Sequence, residues 1–361
     1  MTPKKINLAL QGGGAHGAYT WGVLDRVLED ERLVIEGISG TSAGAMNAAV
    51  LVQGYMRDGN AGARRALEDF WHRIAASARF TPFRTNPLAK WLWNHPWNLD
   101  RSPSYRVMDA LARLVSPYFS NPLDHNPLQR ILEQVLDIAT VNSCSRIQLF
   151  VTATRVRDGR ARVFQCHEIG IDALLASACL PQLFQAVVID GEAYWDGGFM
   201  GNPAIWPLIY GCRSPDVMLV QINPMERDEI PVEAAEIINR VNEITFNASL
   251  LAEMRAIEFV SRLIQRGKLE PSDGYKQMRV HLVERPAEMI ALNASSKLNV
   301  DWDFLVYLKN LGRRAADDWL AANYDHLGQE GCNIQHTFLE THQVPGPAPR
   351  PSTSNVISFP G

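Results

Sequence analysis

The sequence predicts an α/β fold in three layers, a mostly parallel central sheet with helices packed on both faces. Three observations carry that expectation. Apolar runs with little polar alternation occur at residues 6–10, 35–39, 147–153 and 216–222, the pattern of strands covered on both sides. The first two end in glycine-rich turns that lead on into helical segments, the order of a βαβ chain. Apolar residues also recur at helical spacing over residues 63–78, 232–265 and 304–322.

Taken in order, the first strand is Ile6-Asn7-Leu8-Ala9-Leu10, and Gln11-Gly12-Gly13-Gly14-Ala15-His16-Gly17 follows it directly. Small residues at Gly12, Gly13, Gly14 and Gly17 leave backbone N–H groups placed to meet a developing oxyanion. The same stretch satisfies G-x-G-x-x-G, the dinucleotide fingerprint, with Glu36 near the position of its acidic partner. That reading leaves the next turn unexplained. Ile35-Glu36-Gly37-Ile38-Ser39 runs into Gly40-Thr41-Ser42-Ala43-Gly44, which fits G-x-S-x-G. In that nucleophile elbow a strand turns sharply into a helix and one serine Oγ stands exposed. Gly40 and Gly44 flank the serine because a side chain there would block the turn and the helix behind it. Residues 43–55 read as that helix.

A second helix is expected over residues 63–78, with Leu67, Phe70, Trp71 and Ile74 at helical spacing. Residues 80–127 then change character, because seven prolines break up an aromatic segment holding Trp91, Trp93 and Trp97. This is the expected insertion, read either as a cap presenting aromatics to an interface or as a small subcore beneath a loop. Strands resume at 147–153 and 216–222. The pattern over 232–265, including Ile237, Val241, Ile244, Leu251, Met254 and Ile257, predicts a helix packed on the sheet, with a membrane-surface or partner-binding helix as the alternative. A last helix follows at 304–322, and the proline-rich tail 343–361 reads as disordered. The whole is expected to be one catalytic domain over residues 5–325, with 230–325 as its helical C-terminal part.

A third motif lies far downstream, where Asp196-Gly197-Gly198 is followed by Asn202-Pro203. Taken together and in this order, G-G-G-x-x-G, G-T-S-A-G and D-G-G resemble the patatin-like phospholipases, as does Ala176-Ser177-Ala178-Cys179-Leu180-Pro181-Gln182-Leu183-Phe184 ahead of the aspartate. The resemblance covers roughly residues 5 to 225. It departs at His16, where many members carry Arg or Lys, so a permanent cation is not expected from that position. The resemblance implies hydrolysis of lipid acyl esters by a Ser42–Asp196 dyad without histidine, with no metal or organic cofactor. A carboxylate is able to act as the base if burial and a hydrogen bond raise its proton affinity in the transition state. Gly197 and Gly198 then let the backbone pass close to the elbow, and His16 is a candidate auxiliary residue.

Two other readings stand beside this one. An α/β-hydrolase would use a Ser-His-Asp triad, and among nine histidines His281, in the apolar run 279–283, is the best placed. Little strand-forming sequence precedes Ser42 to build that fold's sheet. A degenerate lipid-binding or regulatory protein is the non-enzymatic reading, although binding alone would not require both Ser42 and Asp196.

Composition sets the outer bounds. Hydrophobic residues make up 46% and charged residues 20% of 361 positions, ample for a globular core. A net charge of −4 argues against nucleic acid as a partner. The five cysteines are scattered, without C-x-x-C spacing, which suits a reducing compartment better than disulfides or zinc. The first apolar run is too short for a signal peptide, and no run has the length of a membrane span. A cytoplasmic enzyme is expected, touching membrane surfaces transiently to reach a lipid substrate.

Overall fold

The computed structural model describes residues 3–77, 97–100, 102, 105–107, 114–270 and 274–340. Trp91, Trp93 and the tail 343–361 lie outside them. The strands are β1 (Lys4–Leu10), β2 (Leu33–Thr41), β3 (Gln148–Arg155), β4 (Ala161–Gln165), β5 (Val187–Ile189), β6 (Glu192–Asp196), β7 (Asp216–Val220) and β8 (Arg279–Val283). They form one sheet in the order β5-β6-β3-β2-β1-β7-β8, with β4 also paired to β3. The five strands from β3 to β8 in that order run parallel, whereas β4, β5 and β6 are joined by antiparallel pairings. The expected mostly parallel sheet is therefore present, and its antiparallel end was not foreseen.

Ten helices accompany the sheet among the described residues: α1 (Gly17–Glu29), α2 (Ala43–Ser77), α3 (Pro117–Ser120), α4 (Pro127–Val135), α5 (Ile138–Asn142), α6 (Ile171–Ser177), α7 (Trp206–Gly211), α8 (Ala234–Gln265), α9 (Pro286–Ile290) and α10 (Trp302–Asn323). Side chains alternate between the two faces of each strand, and that alternation separates two cores. Leu8, Leu10, Leu149, Val151, Met218 and Val220 join α1, α2 and α10 on one face. Ala9, Phe150, Val217 and Leu219 join α7 and α8 on the other. These are the three layers, and helices on both faces explain why the parallel strands read as unbroken apolar runs.

The two helices read at 43–55 and 63–78 form one long element with a kink, where Asp58 and Gly59 leave helical geometry. In α8, Leu250, Met254 and Ile257 face the sheet, while Ile237, Val241 and Ile244 nearer its start stand exposed. The packed-helix reading thus holds from Phe246 onward, whereas Ile237, Val241 and Ile244 before it are uncovered. Trp97 stacks on Phe304 and Tyr307 of α10 at 5.2 and 6.0 Å between ring centroids. Its ring packs on the core at that helix. Among the described residues, no helix is long and apolar enough to cross a membrane.

Candidate active site

Ser42 lies between the last residue of β2 and the first of α2, with a φ of 53°. That left-handed backbone is strained for a side-chain-bearing residue. The turn is held from both sides: the Ser42 N–H donates to Ser177 Oγ at 2.9 Å, and its carbonyl accepts from Met46 N–H at 3.1 Å. The space around it is closed. A methyl group at Gly44 would lie 2.2 Å from the Leu10 carbonyl oxygen, and one at Gly12 would lie 2.7 Å from Ser42 Cβ. Both positions therefore require glycine, and the two turns read separately in the sequence are in direct contact. Gly40 packs on the Gly44 carbonyl and Gly17 on Ala43 Cβ in the same way. Gly17 thus joins α1 to the elbow helix, and its N–H is given to the Ala15 and Gly14 carbonyls, so it is not open to an oxyanion as expected.

Sheet register brings the acid to the serine. Along β3, Thr152 pairs with Thr41 of β2, and the next residue, Ala153, pairs with Asp196 of β6. The turn after β6 is equally tight, with Gly197 against the Thr152 carbonyl and Gly198 against the Phe246 ring. Asp196 is 3% exposed. Its Oδ1 accepts from Gly198 N–H at 2.7 Å, while its backbone carbonyl accepts from Thr154 Oγ1 at 2.8 Å. Burial pushes its carboxyl up to about 6, against the opposing pull of the Gly198 N–H, the Ser42 hydroxyl and the charge of Lys297. Asp196 caps the turn that follows it, as an Asp-Gly aspartate commonly does, and the Ser42 hydroxyl is near enough to pull its carboxyl downward.

The glycine loop divides its work. Gly12 N–H donates to Asn202 Oδ1 at 2.6 Å, and the Gly12 carbonyl accepts from Asn223 Nδ2 at 3.0 Å. Gly12 is consequently an anchor, which corrects the expectation that its N–H is open to an oxyanion. The N–H groups of Gly13 and Gly14 donate to no partner among the described residues.

His16 is buried, and its Nε2 lies 2.7 Å from Ser296 Oγ. The Ser296 hydroxyl proton is already given to the Asn293 carbonyl at 2.7 Å, so His16 Nε2 is the donor. Burial, and then the charge of Lys297, push the imidazole well below its ordinary range. His16 is a neutral fastening between the glycine loop and the turn Ala294–Leu298.

His281 is far from this site. It sits on β8, where Nε2 meets Asp216 Oδ1 at 2.9 Å, and Arg279 binds the same carboxylate. Burial opposes ionisation of Asp216, but Arg279, His281 and the Gly328 N–H together hold it well below the usual carboxylate range. A cavity of about 540 Å³ opens beside His281, Trp319 and Cys332, with neither Ser42 nor Asp196 in its wall. Among the described residues, no histidine is hydrogen-bonded to Ser42 or Asp196.

Sequence reasoning missed Asn202, Ser177, Asn223 and Lys297. The first two stood inside quoted motifs, where a polar residue amid glycine and alanine was the available signal. The last two carried none.

The Patatin-like phospholipase family profile matches residues 8–209, from β1 into α7, which is more than half of the chain. Among solved structures, VipD from Legionella pneumophila is similar at 14% identity and a TM-score of 0.40, over 89% of this chain and 67% of that one. The heterodimeric ExoU-SpcU complex from the type III secretion system of Pseudomonas aeruginosa is similar at 16% identity and a TM-score of 0.35, over 91% of this chain and 52% of that one. The chain thus spans about half the length of the latter. No curated protein matches the sequence.

Proposed function

This chain belongs to the patatin-like phospholipase family, and from that premise we propose that it hydrolyses acyl esters of lipids through a Ser42–Asp196 dyad. The observation that supports the reading is a buried carboxylate, raised to about 6, that sheet register brings near a strained elbow serine whose hydroxyl pulls it downward. A serine hydroxyl is a poor nucleophile unless a base takes its proton, and a base whose proton affinity approaches neutrality is well matched to that task.

Ser42 Oγ attacks the ester carbonyl carbon as its proton passes to Asp196. The negative charge on the former carbonyl oxygen is met by the N–H groups of Gly13 and Gly14, with that of Ala43 at the start of α2 as a further donor. Collapse of the tetrahedral intermediate breaks the bond to the alcohol, which leaves with the proton from Asp196. Asp196 then takes a proton from water, whose oxygen attacks the acyl-enzyme. The carboxylic acid departs and Ser42 regains its proton. No metal or organic cofactor enters these steps.

The substrate is a lipid or other acyl ester reached at a membrane surface. The exposed Ile237, Val241 and Ile244 support transient contact there, on the same helix whose Phe246 lies against Gly198. Five free cysteines support a cytoplasmic setting.

A fluorophosphonate probe tests the nucleophile. It is expected to label the wild-type chain at Ser42 and to leave Ser42→Ala unlabelled and inactive. Equal labelling of the alanine variant, with ester hydrolysis retained, would end this reading.

A further inference from the structure

We propose that Lys297 is a positioning residue of this site: through Asn223 it fixes and polarises the peptide group whose N–H meets the oxyanion. The proposal rests on the Ser42–Asp196 reading. Lys297 belongs to the turn Ala294–Leu298, well outside residues 8–209. Its Nζ donates to Asn223 Oδ1 at 2.7 Å. Asn223 Nδ2 in turn donates to the Gly12 carbonyl at 3.0 Å and to Gln11 Oε1 at 3.2 Å. The Gly12 carbonyl and the Gly13 N–H are the two ends of one planar peptide group, pointing in opposite directions. Gripping the oxygen therefore aims the N–H. An ammonium donating to an amide, which donates to a peptide carbonyl, forms a chain in which each bond polarises the next. The end of that chain is the Gly13 N–H, which has no partner among the described residues.

A second observation is independent of that chain. Lys297 is half-buried, yet among the described residues no carboxylate forms an ion pair with it. Glu243 is the near acidic group, and it is taken by Arg227 and Arg240. A positive charge removed from water without an ion-pair partner is costly. It is offset by the negative charge of the site, on Asp196 at rest and on the oxyanion once Asp196 has taken the serine proton. Burial depresses the Lys297 ammonium, with Glu243 and Asp196 acting to restore it and Arg227 opposing; its neighbour His16 is neutral. The turn also lies directly on the loop: a methyl group at Gly14 would be 2.5 Å from the Lys297 carbonyl oxygen.

The test uses the purified full chain and a soluble p-nitrophenyl ester, comparing Lys297→Met, Lys297→Arg and Asn223→Leu with wild type. Loss of one oxyanion donor costs about a hundred- to a thousandfold in kcat. Lys297 acts one step behind the donor, so Lys297→Met is expected to lower kcat about ten- to a hundredfold with KM nearly unchanged, and Lys297→Arg to recover most of it. Lys297 also draws the Asp196 carboxyl downward, so Lys297→Met should move the acid limb of kcat/KM to higher pH. A role in packing alone would leave that limb in place. Asn223→Leu breaks the relay without removing the charge, and should reduce kcat while moving the limb less. It carries the test if Lys297→Met does not fold. Unchanged kcat, or a loss with an unmoved limb and no recovery by arginine, would overturn the proposal. Fluorophosphonate labelling of Ser42 should persist in all three variants; its absence from wild type would instead refute the dyad reading beneath.

Discussion

At the scale of the residue, burial raises the proton affinity of Asp196, and its charged form comes at a cost to stability. An aspartate ordinarily titrates near about 4, and burial lifts this one to about 6. The native state therefore binds its proton more tightly than the unfolded chain. The advantage of the native state from this group is fully present below the ordinary value and is lost as pH rises through about 6, leaving a buried anion. The proposed activity has the opposite requirement, since only the carboxylate form is able to accept the serine proton. The expected pH profile of kcat/KM falls about tenfold per unit below about 6. Asp196→Asn removes the buried charge while keeping an oxygen for the Gly198 N–H. Its thermal midpoint is expected to exceed that of wild type at pH 8 and to converge with it near pH 4. A lower midpoint at pH 8 would mean that the anion is stabilised by its surroundings. Ser42, Asp196 and the glycines around them were legible one by one, because a strained turn and a close approach restrict residue type locally. The neutrality of His16 was not, since it depends on burial and on the charge of Lys297, which only the folded chain brings near.

At the scale of the element, the segment between β6 and α7 aligns two loops. Asn202 accepts the Gly12 N–H, Thr41 Oγ1 donates to the Gly201 carbonyl, and Ser39 Oγ donates to the Ala204 carbonyl. Glu253 of α8 holds the other end by accepting the N–H groups of Ile205 and Trp206, both at 2.8 Å. Burial pushes Glu253 up to about 7, against the pull of those two N–H groups. Asn202→Ala should therefore free the glycine loop without disturbing the sheet. A displacement of about 1 Å at a reacting centre costs up to about a hundredfold. We expect kcat to fall by at least about tenfold, with the far-ultraviolet circular dichroism unchanged. Full activity in that variant would show that the loop keeps its place by other contacts. The parallel strands were legible because burial on both faces leaves uninterrupted apolar runs. β4, β5 and β6 were not, being short strands with partly exposed side chains. The kink at Asp58 and Gly59 was visible as the gap between two helical patterns.

At the scale of the whole molecule, the C-terminal helices belong to the same structure as the glycine-framed turns of the candidate site. Phe304, Leu305, Leu308 and Leu311 of α10 share one core with Leu8 and Leu10 of β1. Asp25 of α1 is bound by Arg64 of α2 and Arg313 of α10. Helical spacing announced α10, but which face of the sheet it covers follows from long-range packing that no local pattern records. The turn before it delivers Lys297 to the glycine loop for the same reason. Chain-wide placement also bears on the choice between the proposed dyad and a triad. His281, the sequence candidate for a histidine base, lies on β8, with β7 and β1 between it and β2, the strand that leads into Ser42. The most direct measurement is kcat of Asp196→Asn beside His16→Ala, His95→Ala, His125→Ala, His167→Ala and His281→Ala, on a soluble ester at pH 8. A general base contributes about a hundred- to ten-thousandfold. The dyad predicts a loss of that order for Asp196→Asn alone, a moderate loss for His16→Ala through its contact with Ser296, and near wild-type rates for the others. A folded histidine variant as inactive as Asp196→Asn would contradict the dyad and reduce Asp196 to the group that orients a histidine base.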